Sequence, residues 1–147
     1  MADTRILKSK VESFVRDWLE ARFGQKFGTK FLLLKGVQGE AKSHEFDAVS
    51  MDGSIVCGIK TASWKTSGGK RGSGKVQGAF TELYFLHLID AQQKYLVLTD
   101  PEFFRCFAKE CDGRLEVGLG LLHCPLPPDL CREIELIRSA SRSELGF

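Results

Sequence analysis

Apolar residues recur at Leu7, Val11, Phe14, Val15, Trp18 and Leu19, the three-and-four spacing of a helix with one buried stripe. This predicts a first helix over 4–23, stopped by Gly24. Residues 26–35 carry Phe27, Thr29, Phe31 and the run Leu32-Leu33-Leu34, a β-prone stretch closed by Gly36. A hairpin follows, turning at Asp52-Gly53, the dipeptide that most readily takes the positive φ angles of a two-residue type I′ loop. With Met51 opposite Ser54, Val49 meets Val56, Asp47 meets Gly58 and Glu45 meets Lys60, and these side chains share one face.

After a Gly/Ser/Lys stretch over 64–74, read as a mobile loop, Val76, Ala79, Phe80, Leu83 and Leu86 predict a second helix over 76–89. Tyr95-Leu96-Val97-Leu98 is the continuous apolar run of a strand covered on both faces. Asp100-Pro101 reads as the N-cap and first residue of a short helix ending near Gly113. Alternation at Leu115, Val117, Leu119 and Leu121 predicts a fifth strand, and Pro127-Pro128 precedes a last helix over 129–141. The order is helix, three strands, helix, strand, helix, strand, helix. It implies an α/β fold, a mixed central sheet flanked by helices.

At 147 residues and 43% hydrophobic content, the chain suits one domain that buries its own core. A net charge of +2 excludes a general polycation, so any nucleic-acid contact must come from local clusters. The cysteines, Cys57, Cys106, Cys111, Cys124 and Cys131, are odd in number and lack CxxC spacing. They are expected to be thiols in a reducing compartment, neither a zinc ribbon nor a disulfide framework. The charged N-terminus shows neither a signal peptide nor a membrane span, which places the expected location in the cytoplasm.

An Asp entering the second strand and an x-x-Lys on the third, within an αβββαβ order, resemble the PD-(D/E)xK, or restriction-endonuclease-like, nuclease superfamily. The likeness covers about residues 4–100 and is nearest to archaeal Holliday-junction-resolvase-like nucleases, leaving 101–147 as a C-terminal helix-strand-helix extension. The resemblance implies that Asp47 binds a divalent metal, Mg²⁺ or Mn²⁺. It also implies that Lys60 orients or activates the attacking water and that Glu12 on the first helix completes the site. Gly58 stands where the family has its second acid. Phosphodiester hydrolysis needs a hard cation on oxygen ligands, and Mg²⁺ can be held by one or two carboxylates plus the substrate phosphate. A missing acid therefore weakens the expected site without removing it. Glu45, facing Lys60 in the predicted register, is the nearest replacement, as metal ligand or as a cross-strand ion-pair partner. Glu82 and Glu40 are more distant ones.

Lys65, Lys70, Arg71 and Lys75 place four cations on the glycine-rich segment beside Lys60, suited to a phosphate backbone, with Trp64 as a stacking surface and Gln77 and Tyr84 on the following helix. The same segment, Gly69 to Val76, falls one residue short of a Walker A motif, and Leu96 to Asp100 imitates a Walker B strand. Against a nucleotide hydrolase stand three points: Val76 offers no hydroxyl for Mg²⁺, the gap from strand to loop is long, and the preceding strands form a hairpin. His44 is placed for proton transfer or substrate contact, and His87 and His123 sit in apolar stretches as structural residues. The leading expectation is a metal-dependent endonuclease acting on DNA, homodimeric where both strands are cut. The competing one is an inactive nuclease-fold protein that binds nucleic acid.

Overall fold

A computed structural model describes residues 4–64 and 73–144. The elements follow the predicted order: α1 (Thr4–Phe23), β1 (Phe27–Leu33), β2 (Ser43–Ser50), β3 (Ile55–Lys60), α2 (Ser73–His87), β4 (Gln93–Leu98), α3 (Pro101–Cys111), β5 (Leu119–His123) and α4 (Pro128–Glu144). The strands form one five-stranded sheet in the order β1-β2-β3-β4-β5. β2 runs antiparallel to both β1 and β3, whereas β3, β4 and β5 are mutually parallel.

Parallel neighbours need crossovers, which α2 and α3 supply. Both crossovers step in the same direction across the sheet, so a shared right hand puts both helices on one face. There Val76, Ala79, Leu83 and Leu86 of α2 join Phe103 and Phe107 of α3 over Val49, Val56, Leu96 and Leu98. On the opposite face α1 lays Val11, Val15 and Leu19 on Ala48, Ile55, Cys57, Ile59 and Val97, with Ile134 of α4 at the rim. β4 lies between the two layers, and Leu96, Val97 and Leu98 are all at 0% exposure, as their unbroken apolar run requires.

The hairpin register holds where it is paired, at Ala48/Cys57 and Val49/Val56. The turn itself departs from type I′. Residues 51–54 separate the strands, Gly53 N–H donates to the Ser50 carbonyl at 2.9 Å, and only Gly53 has positive φ, +76°. Asp52 is held at negative φ while its carboxylate accepts from Ser54 N–H, Ser54 Oγ and Ser50 Oγ. These bonds, the Ser54 N–H first among them, lower its pKa to about 2.

β5 begins four residues later than its alternation suggested. Glu116 is drawn to the ammonium of buried Lys94, which also donates to the Ile89 carbonyl, and Gly118 turns the chain at φ +90°. Val117 is left wholly exposed, so its apolar character marks no strand. Asp100 caps α3 as predicted, accepting from Phe103 N–H at 2.9 Å. The same carboxylate also accepts from Trp64 N–H at 3.1 Å. Trp64 therefore packs edge-on against Phe103 at the rim of the core, with ring centroids 5.4 Å apart, and is half-buried there. Cys57, Cys111 and Cys124 are buried, and burial pushes their thiols up to about 12, 11 and 12, far from thiolate chemistry. Among the described residues no helix is long and apolar enough to cross a membrane.

Candidate active site

The site begins with a fault in β2. β1 pairs Gly28 with Val49 but Lys30 with Phe46, so two residues on one strand span three on the other. β2 thus carries a bulge at Asp47-Ala48, a device that bends a strand and re-aims a side chain. Phe46 and Val49, three apart, both join the α2-side core, while Ala48 joins the α1 side. Arg16 of α1 donates to the Asp47 carbonyl at 3.0 Å, with Thr29 Oγ1 donating at 3.5 Å. The Asp47 carboxylate reaches across to β3, where Oδ2 accepts the Ile59 N–H at 2.8 Å.

This bulge corrects the prediction that Asp47, Glu45, Gly58 and Lys60 share one face. Glu45 precedes Phe46 and turns to the α1 side, exposed, opposite Phe31 of β1, where its charge acts on Glu12. Gly58 and Lys60 face α2 instead. Asp47 sits where the two sides meet, and its charge raises the pKa of both Glu12 on α1 and Glu82 on α2.

Glu82 occupies the place left by the missing acid. A Cβ on Gly58 would lie 3.4 Å from Glu82 Oε2 and 3.3 Å from Leu96 Cδ1. His44 Nε2 stands 3.8 Å from the same oxygen, and its ring is stacked on Phe85 at 4.0 Å and 11°. Lys60 bears on the opposite flank: its charge lowers the Glu82 pKa, and its Nζ fills the space where a Cβ on Gly78 would be, 2.8 Å away. Two glycines, one in β3 and one in α2, thereby open the volume that the carboxylate and the ammonium occupy.

The electrostatics are those of a part-buried acidic cluster. Burial first, and the Asp47 charge second, hold the Glu12 and Glu82 carboxyls above their ordinary value of 4.5. Lys8 and Arg16 oppose this at Glu12, and His44 and Lys60 at Glu82. Glu12 Oε2 is buried with no hydrogen-bond partner. Such oxygens suit a hard divalent cation. Among the described residues no three His, Cys, Asp or Glu side chains converge as a ready-made cage.

The structure thus sets Asp47 within electrostatic reach of Glu12 on the α1 side and of Glu82 on the α2 side, places Lys60 with Glu82 on the α2 side, and leaves Glu45 at the margin on the α1 side. Glu40 is exposed in the connection before β2. Lys65, Lys70 and Arg71 lie outside the described residues. Lys75 opens α2, and Gln77, Thr81 and Tyr84 form an exposed ridge along it. His87, exposed at the end of α2, bonds the Leu83 carbonyl one turn back through Nδ1 at 2.7 Å. Sequence reasoning missed Arg16, Gly78 and the bulge. Glycines inside a strand and inside a helix, where each is intrinsically unfavourable, were the signal available.

Gly78 gives a sharp prediction. Glycine inside a helix is about 1 kcal/mol worse than alanine, so Gly78→Ala should unfold at the same temperature as the wild type or higher. Its methyl would nevertheless displace the Lys60 ammonium. If the chain has the metal-dependent nuclease activity that the resemblance implies, a misplacement of that order should lower cleavage by about a hundredfold. Thermal unfolding and cleavage rates on one preparation test both halves, and undiminished cutting would show that the Lys60 seat does not matter.

The nucleotide-hydrolase reading changes as well. β3 is parallel to β4 with α2 between them in the chain, so a βαβ unit is present and the topological objection falls, while residues 65–72 lie outside the described residues. The objections from Val76 and from the gap before the loop remain, and Asp100 now adds another, because its carboxylate is engaged by the α3 cap and Trp64. No protein-family model, curated protein or solved structure matches the chain.

Proposed function

We propose that the chain is a divalent-metal-dependent nuclease of the PD-(D/E)xK, restriction-endonuclease-like kind, hydrolysing DNA phosphodiester bonds, with its second acid supplied from α2. The observation that carries this reading is the Glu82 carboxylate in the space left by Gly58, between Lys60 and His44 and within the electrostatic reach of Asp47. Asp47 and Glu82, with Glu12 behind them, would hold Mg²⁺ or Mn²⁺. Bound there, the metal supplies a water of lowered pKa and positive charge for the phosphorane. Lys60 places an ammonium beside the reacting phosphate, where it orients the water and offsets developing negative charge. The bulge and the Asp47–Ile59 bond fix the first carboxylate. His44 braces the second.

The direct test incubates labelled duplex, branched and single-stranded DNA with the protein and Mg²⁺ or Mn²⁺. Metal-dependent products that vanish in Lys60→Ala are expected. Binding without cutting would instead leave a nuclease-fold nucleic-acid-binding protein, and hydrolysis of ATP in place of DNA would revive the nucleotide reading.

Stability offers a second, independent readout. A carboxyl whose folded pKa is raised binds protons more tightly folded than unfolded. Its stabilising contribution is full below the unfolded value near 4.5 and is lost as pH rises through the folded one. Metal-free protein should therefore lose unfolding temperature as pH climbs above 4.5, and Mg²⁺ should restore it in that range but not below. Asp52 and Glu116, whose pKa values are lowered, act in the opposite sense and at lower pH, which keeps the two windows apart. A midpoint indifferent to Mg²⁺ at pH 7 would count against the metal site.

A further inference from the structure

We propose that the cavity between α1 and α4 receives a single unpaired nucleobase of the strand that the candidate site cuts. This rests on the nuclease reading and narrows its substrate to DNA with at least one unpaired nucleotide at the cut. The cavity has a volume of about 250 Å³. Leu7 and Val11 of α1 form one wall and Ile134 of α4 the other, while Thr61 supplies a hydroxyl and Arg5 and Lys8 bring positive charge to its lining.

Its position ties it to the site. Val11 directly precedes Glu12, the Lys8 charge acts on Glu12, and Thr61 directly follows Lys60 at the end of β3. Lys60 itself faces α2, so the link runs through α1: Lys8 acts on Glu12 and Asp47 acts on the same carboxylate, which sets the opening on the α1 side of Asp47, toward the nucleotide next to a phosphate held there. The lining divides as a nucleotide does. Two cations suit the flanking phosphates, which fix position without reading sequence. Aliphatic walls suit the faces of a base, and with Thr61 as the hydroxyl among them the fit is tolerant of base identity.

Size sets the substrate class. Pockets for drug-sized ligands run from about 300 to 1,000 Å³, so this one holds about a nucleoside and excludes a stacked base pair. A base can enter only when it is out of its pair, and it does so most readily where it is already unpaired. A gap, flap or single-stranded segment at the cut satisfies that condition.

The test uses full-length protein with Ca²⁺ in place of Mg²⁺, and DNA carrying 2-aminopurine either paired in a duplex or unpaired in a gap. Wild-type protein should bind the gapped DNA on the order of tenfold more tightly than the duplex, and the unpaired 2-aminopurine should brighten as it leaves its stacked neighbours. Ile134→Trp, which fills the cavity, should bring the ratio close to one and abolish the brightening. Lys8→Gln, an exposed change that leaves the core intact, should reduce the salt dependence of gapped-DNA binding by about one counterion. Equal binding of both DNAs by wild type, with cleavage of duplex intact in Mg²⁺, would overturn the cavity assignment and leave the nuclease reading standing. Failure to bind or cut any DNA would overturn both.

Discussion

Asp47→Asn is expected to abolish metal-dependent cleavage, by a thousandfold or more, and at the same time to raise the unfolding temperature in EDTA. The loss follows from removing the carboxylate that would anchor both the cation and the charge stabilisation of the transition state, contributions on the order of 10²–10³ each. The gain follows from geometry. Asn keeps an oxygen to accept the Ile59 N–H that Asp47 Oδ2 now takes at 2.8 Å. It also removes the negative charge that raises the pKa of Glu12 and of Glu82. Relief of that repulsion should show as a rise on the order of 2 °C, the usual stability–function trade at a charged site. Asp47→Ala is the instructive contrast. It orphans the Ile59 N–H, a loss of about 1–3 kcal/mol, so it should fall in stability where Asn rises. Mg²⁺ should raise the midpoint of the wild type and leave Asp47→Asn unmoved. If Asp47→Asn still cuts, or melts below the wild type in EDTA, the three carboxylates are not the cluster described above.

Much of the fold was legible because its signals are local. The Leu96-Val97-Leu98 run announced a doubly covered strand, Asp100-Pro101 announced a helix start, and the stripe from Leu7 to Leu19 announced α1. What escaped depended on neighbours. The bulge at Asp47 is a mismatch between β1 and β2 that neither strand states alone, and it is why extrapolating the register from Asp52-Gly53 placed Glu45 on the wrong face. Leu115 and Val117 alternate as a strand would, but the attraction of Glu116 to Lys94 and the turn at Gly118 outweigh that alternation. At the site, Asp47, Lys60 and Glu12 could be picked out by order and residue type. Glu82 could only be weighed as a remote candidate, because its approach to Gly58 depends on how far along β3 the second helix settles. The pair Gly58 and Gly78 carried that information in another form: each breaks the propensity of its own element, and each marks space taken by a side chain from the other.

That reciprocity can be put to the test by moving the acid. Glu82→Ala should lower cleavage by about 10²–10³, since on the proposed reading it removes one of the two carboxylates that would hold the metal. Gly58→Glu alone should also impair cutting, because its Cβ would crowd Leu96 and the existing Glu82 oxygen at 3.3 and 3.4 Å and would add a further negative charge to a cluster already held above its ordinary pKa. The double variant Gly58→Glu with Glu82→Ala vacates that space and returns a carboxylate to β3, two residues before Lys60. It should cut at least tenfold faster than Glu82→Ala, a strongly non-additive result of the kind expected for side chains that occupy one site. Rates for the four proteins, with unfolding midpoints confirming that each is folded, complete the cycle. Independent effects, with a folded double variant no better than Glu82→Ala, would mean that Glu82 braces the helix against the sheet and that the second acid must be sought at Glu12.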